Sequence, residues 1–192
     1  ISGISVNASG TTSPSIKQSD QKAVFIDSQW EQINEDGFDN RYNIGPRGIT
    51  IFNDTLVIGT DNIIDYCTQL YTSMPIKNFM KLYTKIRNWE TLQSDGCEIW
   101  SYDGNVLKQI VGNKSEAVMK AGFGNKNNLE LAVLIVYKGY LYAGLHNKEE
   151  GCQIWRTNDL ENWTKVIQGG FGDKNNEAAW VAEIFNDYLY VG

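Results

Sequence analysis

The chain has 192 residues, 42% hydrophobic and 21% charged, and is long enough to bury roughly 70% of the surface its unfolded form exposes. A formal net charge of −6 and a pI near 4.8 argue against a nucleic-acid partner, which demands a clustered Lys/Arg face, and against an anionic membrane surface. No run approaches the roughly 18 apolar residues of a membrane span, so no transmembrane segment is expected, and no charged-then-apolar leader stands at the start.

In chain order, residues 1–22 are Ser/Thr-rich and free of aromatics, and cannot offset their ordering entropy unless tethered, so they are expected to be flexible. Weak alternation at Ile4 and Val6 gives the other reading, an edge strand. The start at Ile1 rather than Met suggests a secreted protein after cleavage, or a fragment. Residues 23–33, AVFIDSQWEQI, read as two strands, and from there to residue 192 the sequence repeats itself. The stretch 122–144, GFGNKNNLELAVLIVYKGYLYAG, recurs at 170–192 as GFGDKNNEAAWVAEIFNDYLYVG and, worn, at 37–59 as GFDNRYNIGPRGITIFNDTLVIG. Each copy holds two β-rich runs around a two-residue turn, Asn53-Asp54, Lys138-Gly139 or Asn186-Asp187, residues that tolerate the positive φ of a tight hairpin. A third strand is expected in GCEIW at 96–100 and GCQIW at 151–155, and a fourth in Trp163–Ile167, echoed by Trp30–Ile33.

The two better copies lie 48 residues apart, a period at which one repeat makes one four-stranded blade of a β-propeller. The fold class expected is therefore all-β, a propeller or partial propeller of about three blades over residues 23–192, incomplete at both ends. Three blades are fewer than closed rings use. The chain is then a fragment of a longer propeller, the reading favoured, or shares blades with other copies, or forms an open array. An insertion of about 61–95 interrupts the first repeat. Its Phe79, Leu82, Tyr83, Ile86 and Trp89 follow Pro75 at helical spacing, which predicts a short amphipathic helix.

Few residues offer chemistry. Cys67, Cys97 and Cys152 form no metal-binding pair; Cys97 and Cys152 take equivalent places and read as small core hydrophobes, while Cys67 and Cys97 are the candidate disulfide in an oxidising compartment. The lone His146 follows a strand and reads as a loop residue rather than a catalyst. In the GFGNKNN and GFGDKNN loops and their first copy, Asp39, Asn125, Asp173 and Asn175 serve either as turn residues or as oxygen ligands for calcium, the one cofactor considered. Four sequons, at Asn7, Asn53, Asn113 and Asn162, are the glycosylation candidates and agree with an extracellular or cell-surface setting. Trp89 and Trp180 are candidates for stacking on a glycan, whereas Trp100 and Trp155 repeat at one position and read as packing between blades.

The segments Ser101-Tyr102-Asp103-Gly104 and Thr157-Asn158-Asp159, the latter reaching Trp163, resemble the Asp-box of sialidase-like propellers, with Leu160 where the glycine ordinarily stands. Together with GC(E/Q)IW, GFG(N/D)KNN and YLY(A/V)G, they resemble the β-propeller repeats of prokaryotic, including archaeal, cell-surface proteins. That resemblance implies structural turns and no activity. Only Arg41, Arg47, Arg87 and Arg156 are present to hold a substrate carboxylate, so an enzyme is not expected. The leading expectation is a secreted or cell-surface module for structure, adhesion or assembly, its partners other copies of itself or surface proteins. The alternative is a carbohydrate-binding or glycan-processing domain.

Overall fold

A computed structural model describes residues 5–7, 30–62 and 94–192. Among them the protein is all-β. Twelve strands are present: β1 (Ser5–Asn7), β2 (Trp30–Gln32), β3 (Asn43–Phe52), β4 (Thr55–Asn62), β5 (Ile99–Tyr102), β6 (Leu107–Val111), β7 (Glu130–Tyr137), β8 (Tyr140–His146), β9 (Gln153–Thr157), β10 (Thr164–Ile167), β11 (Ala182–Phe185) and β12 (Tyr188–Val191). β3 to β6 form one antiparallel meander and β7 to β10 a second. A single residue pair, Asp61 with Glu130, joins them into a curled antiparallel sheet whose path runs through seven strands. β11 and β12 form a separate hairpin, and β1 pairs with β2.

The three hairpins form where turn chemistry permits. Asn53 and Asp54, Lys138 and Gly139, and Asn186 and Asp187 all have positive φ, the twist that joins antiparallel strands through two residues. Between the meanders lies the main core, built on Phe52, Val57, Ile99, Leu131, Leu141 and Leu145, with Cys97 buried among them. Cys152 is buried in a smaller cluster with Ile154 and Ala179. Trp100 is buried against Phe38, and the half-buried Trp155 stacks on Phe123 at 4.7 Å.

Two details differ from the expected strands. The third strands begin later, at Ile99 and Gln153, because the backbone of Cys97 is committed elsewhere: its N–H donates to Asn128 O and its carbonyl accepts from Gly122 N. The fourth strand of the first meander is β6, which carries no tryptophan at its start to mark it. The helix expected in the insertion, with Trp89 and Cys67, falls on residues outside those described, as does most of segment 1–22. The described ends of the insertion are tied: Asn62 Oδ1 accepts from Ser94 Oγ at 2.7 Å and from Asp95 N at 3.1 Å. Asn147 closes the short loop of the next copy in the same way, by accepting from the amides of Glu149 and Glu150.

Gly96 shows how tightly the units meet. A Cβ at this residue, at φ +101°, would lie 2.6 Å from the backbone nitrogen of Gly122, and one at its equivalent Gly151 would lie 2.6 Å from that of Gly170. Gly104 has a similar φ of +98° but open space around it. Gly104→Ala should therefore cost about 1 kcal/mol, for the strained φ alone, and Gly96→Ala at least about 3 kcal/mol, because backbone must also move. Chemical denaturation of the two variants checks this, and equal losses would show that the approach of the loops is not constrained.

Candidate functional site

The site is reached by following how each loop is held. In 37–43, 122–128 and 170–176 a Gly-Phe pair takes left-handed φ values, a strained conformation for phenylalanine, and an asparagine closes the loop onto its first glycine. Asn43, Asn128 and Asn176 donate from Nδ2 to the carbonyls of Gly37, Gly122 and Gly170 at 2.9, 2.7 and 2.9 Å. Behind the first two loops runs a buried relay. Asn62 donates to Asn43 Oδ1, Asn43 to Glu98, and the Trp100 indole to Glu98; in the second copy Asn147 donates to Asn128, Asn128 to Gln153, and the Trp155 indole to Gln153.

The residues read as turn formers or calcium ligands lie in turns. Asn125 Oδ1 and Asp173 Oδ1 each accept the amide two residues on, Asn175 donates to Asp173 from its side chain as well, and Asp39 has a φ of +60°. Among the described residues no group of three or more His, Cys, Asp or Glu side chains could hold a metal. Asp103 and Asp159 close the two Asp-box-like turns, each accepting two backbone amides through Oδ1, and the Asn162 side-chain amide, followed by these backbone bonds, holds the Asp159 carboxyl well below its ordinary range. Leu160 takes φ +66° where the strict pattern has glycine. Asn53, Asn113 and Asn162 are exposed, and Asn7 lies in β1.

On the other side of each relay the copies stop resembling one another, and there the side chains converge. Next to Asn62 stands Asp61, and next to Asn147 stands His146. Glu130, at the start of β7, is paired in the sheet with both. His146 is thus not the loop residue expected but the buried last residue of β8, its Nδ1 3.3 Å from Glu130 Oε1 and its Nε2 3.9 Å from Glu177 Oε2. Arg47 of β3 closes the group, with Nη2 3.3 Å from Glu130 Oε2 and Nη1 3.8 Å from Asp61 Oδ2. Its guanidinium lies 4.7 Å over the ring of Trp180, which is 5.6 Å from the His146 ring. Asp61, Glu130 and His146 are buried, whereas Arg47, Glu177 and Trp180 reach solvent. The one signal in the sequence is that these positions break an otherwise regular repeat: Glu130 matches Gly45 and Ala178, and Asp61 matches His146.

Asp61 is the exceptional group. Burial, and then the neighbouring Glu130 carboxylate, push its pKa up to about 7 against the lowering effect of Arg47 and His146. Its Oδ1 is buried and has no hydrogen-bond partner among the described residues. Compared with known proteins, the chain matches no family model, no curated protein and no solved structure.

A carboxyl whose pKa is raised on folding binds its proton more tightly in the folded chain, so its favourable contribution is complete below the unfolded value of 3.8 and is lost as pH rises through about 7. The full difference is on the order of 4 kcal/mol. Asp61→Asn should flatten stability between pH 4 and about 7 and leave the variant more stable than the parent at pH 8. Denaturation midpoints across that range check it; parallel curves would show that Asp61 titrates normally.

Proposed function

We propose that the chain is a module of propeller-type repeats that assembles with other copies of itself through the apolar hairpin of β11 and β12. The observation that carries this reading is Phe171. Its counterparts are buried, Phe38 at 5% exposure against Trp100 and Phe123 at 6% against Trp155 and Trp163, whereas Phe171 is 55% exposed while holding the same left-handed backbone. The hairpin beyond it exposes Ile184, Phe185, Tyr188 and Tyr190 together. In the two complete meanders the matching second strand, β4 or β8, is paired by β5 or β9, while among the described residues β12 pairs with β11 alone. An open edge beside an apolar face is suited to strand addition from another chain.

The acidic charge and the four sequons support a secreted or cell-surface setting for such assembly. They favour a structural or adhesive role over catalysis. No helix among the described residues is long and apolar enough to cross a membrane, which says nothing of a β-barrel. A glycan-binding reading has one stacking candidate among the described residues, Trp180, and its ring is already attended by the Arg47 guanidinium and the His146 ring. The assembly reading therefore has the better support.

Light scattering on the full chain should give a particle larger than one chain, and replacing Phe171 by Ser together with Tyr188 by Lys should return it to one. A parent chain that stays monomeric at high concentration would overturn the proposal.

A further inference from the structure

We propose that the cup formed by Asp61, Glu130, Glu177 and Trp180 is a binding site for an organic cation, a guanidinium or primary ammonium group, and that the Arg47 guanidinium holds the place such a ligand takes. This inference does not rest on assembly. The cup draws on three successive copies of the repeat, and its four residues lie at positions where the copies differ, while the adjoining Asn43, Asn128 and Asn176 are the same in all.

Arg47 shows that a planar cation fits. It meets carboxylates at 3.3 and 3.8 Å and an indole face at 4.7 Å, the two kinds of group that bind guanidinium and ammonium ions in a partly desolvated place. A purely structural ion pair would not need the rest of the arrangement. The Arg47 side chain is 40% exposed, Trp180 is 45% exposed, and Asp61, at 7% exposure, keeps an Oδ1 that Arg47 does not bond. Three carboxylates face one guanidinium and one imidazole, so the cup is electronegative and would repel an anion. A ligand with several N–H donors could enter from the Trp180 side, displace Arg47 toward solvent and satisfy the buried oxygen.

The test is a titration of the full chain with N-acetylarginine amide, methylammonium and urea at fixed ionic strength, following by NMR the Glu130 backbone amide, which every variant retains. Both cations should shift that signal and urea, the neutral isostere, should not. Arg47→Ala removes the internal competitor and should bind at least about tenfold more tightly, whereas Asp61→Asn and Trp180→Leu should each bind at least about tenfold more weakly. Affinity should rise from pH 6 to 8. Over that range Asp61, faced by Arg47, Glu130, His146 and the buried Cys97 thiol, becomes ionised. A Gly-Arg-Gly peptide that binds more tightly than the amide would assign the site to a protein side chain, and equal affinity to a free small-molecule cation; both uphold the proposal. Urea acting like the cations, or an Arg47→Ala chain that binds no more tightly than the parent, would overturn it. Should that variant fail to fold, the exposed Trp180→Leu change decides alone, and unaltered affinity there overturns the proposal equally.

Discussion

The structure depends on one clip between successive repeats, in which a loop fastens onto the strand arm before it. Cys97 donates its amide to Asn128 O and accepts from Gly122 N, both at 2.8 Å; 55 residues further on, Cys152 donates to Asn176 O at 2.8 Å and accepts from Gly170 N at 3.1 Å. The clip dictates residue types. It needs Gly96 and Gly151 because backbone meets backbone there, a small buried side chain at 97 and 152, and an asparagine that can hold its own loop shut while its carbonyl faces the neighbour. The left-handed Gly-Phe pair brings the loop to this position, and in the first two copies burial of the ring offsets the strain.

The clip and the relay divide each junction into two sides with different constraints. On one side Asn62, Asn43 and Glu98, and their counterparts Asn147, Asn128 and Gln153, are locked by buried hydrogen bonds, and an unmatched change would orphan several polar atoms. The glutamate and the glutamine there are each matched to a neighbour: Glu98 Oε1 accepts from Asn40, whereas Gln153 Nε2 faces Glu150. On the other side the sheet pairing fixes only where the side chains point. Asp61, Glu130 and His146 gather there, and the sheets can be held without them, so that side has room for chemistry.

Much of the architecture was legible because turns and repeats are local signals. Asn-Asp and Lys-Gly between β-branched runs located three hairpins, and the returning Gly-Phe and Gly-Cys elements set their spacing. The third strands were placed too early because a strand pattern does not reveal whether backbone bonds go to the sheet or to a neighbouring loop. β6 was missed because Leu107 stands where the other copy has an aromatic marker. Breaks in the repeat were the one trace of the charged cup: its members span residues 47 to 180 and only the curl of the sheet joins them. The buried asparagines Asn43, Asn62, Asn128 and Asn147 carry no local mark of their role, because their burial follows from strand arms that close over them.

Native-state hydrogen exchange by NMR on the parent chain and on Asn128→Ala tests the clip most directly. If the clip ties the two meanders together, the amides of Cys97 and Gly122 exchange as slowly as those in the centres of β4 and β8, and the substitution speeds exchange in both sheets at once. Exchange at Cys97 and Gly122 as fast as in exposed loops, or acceleration confined to residues 122–128, would contradict this account.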